Sequence, residues 1–403
     1  MKKKIIVLIV LFLLSGCSFY DEYEMPKEVV LKTKNLKLEV YSENTINDLI
    51  EDKNVEIINS KDKINTNSLG KKKTTIEYKY DDRKYKYDVN YEIVDTTAPI
   101  PIYVKDYYYT YVGDTTSEKI NFCESANFID NYDRKPTCSI EGTYDVNTAG
   151  QYKLKYLIKD KSNNILEQEI TFDVIEETEE TDEDEYYEEE IEEEKIDFNS
   201  IIQNYKNDKT MIGIDVSRWQ GDIDFDKVKK AGAEFVIMRM AVSNGPDDPI
   251  GLDSKFKQNI KNAKKAGLKI GVYIYTSPST KDEIKKQAKY VLKELNKMKL
   301  DFPIAYDFEN WEDIRKLKLN LHDLTTMVDE FYNIVKEDGY KVMIYGSKYY
   351  LEKIWNQDKY PIWLAQYSDQ PTYQGKYIMW QLGNNGKIDG IDNDVDIDIY
   401  YNN

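Results

Sequence analysis

From about residue 211 onward, short β-branched runs alternate with longer amphipathic stretches, and this alternation limits the fold more than any other feature of the chain. The strand-like runs are Ile212-Gly213-Ile214-Asp215, Phe235-Val236-Ile237-Met238-Arg239, Lys269-Ile270-Gly271-Val272-Tyr273-Ile274-Tyr275, 303–306, Lys341-Val342-Met343-Ile344-Tyr345, Pro361-Ile362-Trp363-Leu364-Ala365, Tyr377-Ile378-Met379-Trp380 and 395–399. Helix-like stretches at 224–231, 254–266, 281–297 and 323–337 separate the early ones, and Gly232 and Gly267 follow the first two as helix stops. Eight strands with helices between at least the first five predict a closed β/α barrel, irregular in its second half where helices are poorly marked. An open doubly wound sheet is the alternative. No glycine-rich phosphate loop follows any strand, so a nucleotide-binding fold has little support.

A barrel of this kind gathers its functional residues at the C-terminal ends of its strands. Asp215 ends the first strand, Asp307 and Glu309 follow the fourth, and Asp396 lies in the last. Tyr273 and Tyr275 lie on the third, Tyr345 ends the fifth, Gln366 follows the sixth, and Trp380-Gln381 ends the seventh. Positions i and i+2 of an extended backbone point the same way, so Asp307 and Glu309 project together. Paired carboxylates are what acid/base cleavage of a glycosidic bond requires. Four acids converging with aromatics describe a carbohydrate cleft. The single histidine, His322, stands near a helix start and reads as surface or capping. No metal or cofactor is implied.

At 403 residues the chain is long enough for two or three domains. Its net charge of -18 leaves no basic stripe for nucleic acid. Met1-Lys2-Lys3-Lys4 and the apolar run 5–14 read as a secretion signal covering residues 1–17. Leu14-Ser15-Gly16-Cys17 resembles a bacterial lipobox, which implies that Cys17 becomes the lipidated first residue, holding the protein at the membrane outside the cytoplasm and facing the cell wall. An ordinary signal peptide or an uncleaved anchor is the alternative. Two all-β units are expected at 18–95 and 96–175, and they read as degenerate repeats: Gly70 then 74–80 parallels Gly150 then 151–156. Asp95-Thr96-Thr97-Ala98-Pro99 and the Gly150-to-Asp160 run resemble immunoglobulin-like sandwich modules of bacterial surface proteins, which implies a spacer or binding role. Cys123 and Cys138 can form a disulfide in an oxidising compartment, or remain two free thiols. The segment 176–200, dense in Glu and Asp, is an extended linker leading to a catalytic domain at 201–403.

Across residues 211–400 the sequence resembles glycoside hydrolase family 25, the lysozymes that cut the β-1,4 bond between N-acetylmuramic acid and N-acetylglucosamine. The motifs are 213–225 (Gly213-Ile214-Asp215-Val216-Ser217-Arg218-Trp219-Gln220-Gly221), Phe235-Val236-Ile237-Met238-Arg239, Gly271-Val272-Tyr273-Ile274-Tyr275, Ala305-Tyr306-Asp307-Phe308-Glu309, Trp363-Leu364-Ala365-Gln366-Tyr367, Met379-Trp380-Gln381 and Asp394-Val395-Asp396-Ile397-Asp398. The resemblance implies Glu309 as proton donor and later base, Asp307 as its ionised partner, and Asp215 and Asp396 as supporting acids. It implies Trp219, Tyr273, Tyr275, Tyr345, Gln366, Trp380 and Gln381 as substrate contacts, with core packing the alternative for each single aromatic, peptidoglycan glycan strands as substrate, and a retaining reaction. Whether the substrate's N-acetyl oxygen or a carboxylate attacks stays open. Two departures stand out: Met240-Ala241-Val242-Ser243-Asn244-Gly245 replaces the family's Thr-Glu-Gly run, and the last motif is unusually acidic. The expected protein is a monomeric, surface-tethered muramidase whose modules carry the barrel outward. The rivals are a non-catalytic wall-binding or adhesion protein, and a hexosaminidase acting on the other wall linkage or on chitin.

Overall fold

The computed structural model describes residues 33–34, 36–51, 55–80, 82–114, 121–176, 195–245, 248–312, 314–355 and 358–402. The expected signal segment with Cys17, the tether after it and nearly all of the acidic linker lie outside the described residues. The chain divides into two compact units, 1–96 and 97–403.

In the first unit, β1 (Lys37–Glu39), β2 (Glu56–Ile57), β3 (Gly70–Tyr80) and β4 (Arg83–Val94) form one sheet in the order β1-β4-β3-β2. β3 and β4 are a long hairpin, and β1 lies parallel to the end of β4. The period of two explains the core: Ile76 and Tyr78 on β3, with Val89, Tyr91 and Ile93 on β4, all turn to the buried face.

The second unit begins with β5 (Ile100–Tyr103), β6 (Tyr107–Tyr111), α1 (Phe122–Ser125), β7 (Asn127–Ile129), β8 (Thr137–Glu141), β9 (Gly150–Lys159) and β10 (Ile165–Ile175). Its sheet runs β6-β10-β9-β8, with β6 parallel to β10 and β9–β10 the long hairpin. This is the order and strand sense of the first unit, so the repeat in the sequence is a repeat of topology. Among the described residues each repeat contributes one four-stranded sheet, and the second adds a β5–β7 ribbon. A disulfide joins Cys123 on α1 to Cys138 on β8, with Cα atoms 5.8 Å apart.

The rest of the second unit is the barrel. A short strand β11 (Ile196–Asp197) and helix α2 (Phe198–Tyr205) precede β12 (Thr210–Val216), α3 (Phe225–Lys230), β13 (Phe235–Ser243), β14 (Gly251–Leu252), α4 (Phe256–Lys265), β15 (Lys269–Thr276), α5 (Lys281–Leu295), β16 (Ile304–Asp307), α6 (Ile314–Leu317), α7 (Leu321–Val335), β17 (Val342–Ser347), α8 (Lys348–Lys353), β18 (Ile362–Ala365), β19 (Met379–Lys387) and β20 (Val395–Tyr401). Strands β12, β13, β15, β16, β17, β18 and β19 pair in parallel in that order. β20 runs antiparallel to both β19 and β12 and closes the ring, which removes the open-sheet alternative. Among the described residues α8 is the only helix between β17 and β20, in keeping with the weak helix signals there.

Alternation again sorts the side chains. Ile212, Ile214, Val236, Val272, Ile274, Ile304, Ile344, Leu364, Ile397 and Ile399 face outward into the apolar layer under the helices. Met211, Phe235, Ile237, Phe302, Ala305, Met343, Trp363 and Met379 form a separate cluster, with Tyr273 and Tyr345 packed against it. This is the plugged interior expected of a small barrel. Two glycines make room for it. A Cβ on Gly213 would stand 2.6 Å from the ring of Phe235, and one on Gly271 would collide with the Ile237 side chain.

The β-sheet region 97–176 is packed directly onto the barrel. Ile102 and Ile129 belong to the barrel's main apolar cluster. Arg315 Nη1 donates to the carbonyls of Cys123 and Ala126, both at 2.7 Å, and Asn127 Nδ2 donates to the Glu312 carbonyl at 2.8 Å. Leu321 N donates to the Asp130 carbonyl at 2.9 Å, Asn320 Nδ2 donates to the Tyr132 carbonyl at 2.8 Å, and Arg134 forms a two-pronged ion pair with Asp323. Removing 97–176 would expose both isoleucines, each worth about 1.5–3 kcal/mol when buried. A barrel-only fragment is therefore expected to melt at least about 5 °C below the 97–403 fragment. Coincident melting curves by circular dichroism would show that the two parts are energetically independent.

Candidate active site

The open end of the barrel holds a cleft of about 250 Å³. Its walls include Asp215 from β12, Tyr273 and Tyr275 from β15, Asp307 from β16 with Glu309 just beyond, Tyr345 from β17, Gln381 from β19 and Asp396 from β20. All four acids expected from the sequence meet here. β20 contributes from its beginning because it runs backward, and Asp396 stands directly opposite Asp215 in the ladder.

Three of the expected contact residues do not line the cleft. Trp380 is 1% exposed and faces outward, because it is the strand neighbour of inward-facing Gln381. Its indole N–H donates to the Gln366 carbonyl at 2.8 Å. The Gln366 side chain is tied to its own loop, accepting from Thr372 N at 3.0 Å and donating to Ser368 Oγ at 3.2 Å. Trp219 is 65% exposed on the turn after β12, with the Arg218 guanidinium 4.6 Å above its ring.

The structure adds Arg239, Trp363, Tyr367 and Asn384 to the lining, and Asp398 beneath it. Arg239 and Trp363 lie within quoted sequence motifs, and strand parity alone would have turned both inward. Arg239 is held by an ion pair with buried Asp253 at 2.8 Å. Tyr273 and Tyr345 meet the Trp363 ring edge-on, forming an aromatic floor.

Hydrogen bonds chain these groups together. Gln381 Nε2 donates to Asp215 at 2.7 Å, while its carbonyl oxygen accepts from Tyr345 at 2.8 Å and Tyr367 at 3.2 Å. The Trp363 indole donates to Asp398 at 2.8 Å. Asp307 Oδ1 is buried and has no hydrogen-bond partner among the described residues. Such an oxygen needs a donor from elsewhere.

Burial raises every acid of the cluster. Asp215 lies well above the usual carboxylate range through burial and then the charge of Asp398. Asp307 is raised by burial and by Glu309 and Asp215, with Arg239 opposing. Burial also raises Glu309, whose side chain meets solvent at the mouth while protein crowds its carboxyl. Asp396 is pushed up to about 9 by burial and Asp215, and Asp398 is raised by burial and Asp396. Tyr273 and Tyr345 are raised by burial and by the nearby acids, so their phenols stay neutral hydrogen-bonding groups. The cleft can therefore hold a proton on a carboxyl group at neutral pH, which is the requirement for a general acid. Its polar groups are carboxylates, phenols, amides, one guanidinium and the Trp363 indole N–H.

The model of the Glycosyl hydrolases family 25 matches residues 214–391. The uncharacterized protein YegX of Escherichia coli (strain K12) is 31% identical over 196 residues, covering 47% of this chain and 70% of that protein. The autolytic lysozyme of Clostridium acetobutylicum is 27% identical over 191 residues, covering 47% of this chain and 55% of that one. Among solved structures, a family 25 glycosyl hydrolase from Bacillus anthracis is 22% identical, covers 50% of this chain and 93% of its own, and superposes with a TM-score of 0.41.

The raised acids make the fold sensitive to pH in a definite direction. With Asp396 at about 9, the folded protein retains a proton that the unfolded chain releases near its ordinary value of 3.8. That stability is full below about pH 4 and is lost as pH rises to about 9. Asp396→Asn cannot titrate, so its melting temperature is expected to fall less between about pH 5 and pH 9 than that of the native chain. Parallel curves would mean that this carboxyl is not held neutral by its neighbours.

Proposed function

Because the chain belongs to family 25 of the glycosyl hydrolases, we propose that it is a lysozyme hydrolysing the β-1,4 bond between N-acetylmuramic acid and N-acetylglucosamine in peptidoglycan. The observation that carries this reading is the meeting of Asp307 and Glu309 with Asp215 and Asp396 in one aromatic-floored cleft. The relative from Clostridium acetobutylicum named an autolytic lysozyme supports the same substrate.

The leaving oxygen of a glycosidic bond is a poor base, so a proton must arrive as the bond breaks. Glu309 is the donor in this reading: its carboxyl is raised by burial and stands at the open mouth, where a glycosidic oxygen can reach it. Asp307 lies deeper. Its unpartnered Oδ1 would accept the N–H of the substrate's N-acetyl group, and that contact would draw it toward its ionised form with Arg239 in support. An acetamido group held this way can turn its oxygen toward the anomeric carbon; direct attack by a carboxylate is the other retaining route. Glu309, having lost its proton, then activates water. Asp215, bridged through Gln381 to Tyr345 and Tyr367, and Asp396 opposite it in the ladder shape the field around the pair.

The N-terminal parts have roles in the same reading. Cys17 would carry the lipid that anchors the protein, as a monomer, on the outer side of the membrane. The Cys123–Cys138 disulfide fits an oxidising compartment. The two repeats would be immunoglobulin-like modules. The first would serve as a spacer, whereas 97–176, packed on the loop after Glu309, would act as part of the enzyme.

The test is digestion of purified peptidoglycan by residues 97–403, with products reduced by borohydride and identified by mass spectrometry. Muramitol ends are expected, and Glu309→Gln should lower their rate of appearance about 10²–10⁴-fold. Glucosaminitol ends would overturn the bond assignment. The native rate should fall with rising pH as the donor deprotonates, with a midpoint above the ordinary glutamate value of about 4.3.

A further inference from the structure

A second cavity, of about 500 Å³, lies where the β-sheet region 97–176 meets the loop that follows Glu309. In a protein of net charge -18, five cationic residues line it: Arg134, Lys135, Arg315, Lys316 and Lys318. Glu124 and Glu312 are the two acids among them, and Phe128, Ile129, Ile314 and Leu319 supply apolar wall. The two arginines are already fixed. Arg315 is clamped by the Cys123 and Ala126 carbonyls and lies 4.7 Å over the Phe128 ring, and Arg134 is gripped by Asp323. Lys135 and Lys318 are exposed.

The cavity is joined to the catalytic cleft through the segment 309–312. Glu312 lines it three residues after Glu309, and the charge of Glu312 acts on Tyr275 of the cleft. The intervening backbone is drawn tight, with Trp311 N donating to the Glu309 carbonyl at 2.7 Å. A muramic acid residue is not a bare sugar: its lactyl ether carries a short peptide with several free carboxylates and small apolar side chains. With the sugar at Glu309, that peptide must leave the cleft across some neighbouring surface.

We propose that the cavity binds this carboxylate-bearing peptide, so that the enzyme recognises peptide-substituted glycan; the inference rests on the lysozyme reading. Spaced carboxylates match separated cations, and alanine-type methyl groups match Phe128 and Ile314. A polyphosphate fits less well, because more than half of the wall is apolar and two glutamates would repel a dense anion. The site is built by both parts of the second unit, so the β-sheet region contributes to specificity as well as to stability.

Two measurements on the full chain test this. Hydrolysis of peptide-bearing glycan is compared with hydrolysis of the same glycan after its peptides have been removed enzymatically. The free stem peptide is also titrated by calorimetry into the Glu309→Gln protein. The native enzyme is expected to favour peptide-bearing glycan. Lys135→Glu with Lys318→Glu should lower kcat/KM on that substrate about fivefold or more, through KM, and leave peptide-free glycan unaffected. Lys135→Gln with Lys318→Gln should fall between. Peptide binding should weaken in the same order. Equal losses on both glycans, no peptide binding by the parent protein, or binding of short polyphosphate in place of peptide would each overturn the proposal. Lysine-dependent peptide binding without cleavage of either glycan would uphold the site while removing the lysozyme reading.

Discussion

Closure of the barrel by an antiparallel last strand is the constraint on which the site depends. β20 is wedged between β19 and β12, and its reversed direction delivers Asp396 beside Asp215 with Asp398 beneath. Three acids are thereby brought together, Asp215 and Asp398 buried and Asp396 half-buried at the cleft wall. Like charges at short range in low dielectric cannot all ionise, so protons stay on the cluster. The chain offsets part of this cost with donors: Gln381 to Asp215, the Trp363 indole to Asp398, and the paired Arg239 beside Asp307. Packing that would be unfavourable in an ordinary core here keeps carboxyl groups protonated.

A second dependence runs through the loop after β16. This loop carries Glu309 at its start and is held at its far side by the β-sheet region, through Asn127, Arg315, Asn320 and the Asp130 carbonyl. The disulfide anchors the segment whose carbonyls receive Arg315. The region expected to serve as a spacer is therefore a brace for the loop that carries Glu309. A composition-based boundary at the acidic linker gives no hint of this, because segments distant in sequence make the contact.

Much of the fold was legible. The barrel strands stand out because β-branched runs buried on both faces leave a strong local signal, and all eight expected runs became strands, with shifted ends. The repeat of the two β-units was visible as Gly70 and Gly150 opening matched hairpins. Sandwich architecture was not readable at that level, since alternation tells which face is buried and not what covers it. The four acids were found because each lies at a strand end. Trp380 was misplaced because strand ends were read without parity: Gln381 points inward, so its neighbour cannot. Arg239 and Trp363 were missed for the converse reason, since they sit inside strands where a core residue is expected.

The sequence by itself determined which residues can carry acid/base chemistry, and the strands that present them, because both follow from local spacing and side-chain type. Tertiary structure alone decided which carboxyls face one another, which retain protons, and that the β-sheet region braces the loop after β16. Those properties arise from burial and from through-space charge, and each depends on distances between residues that the order of the chain does not contain.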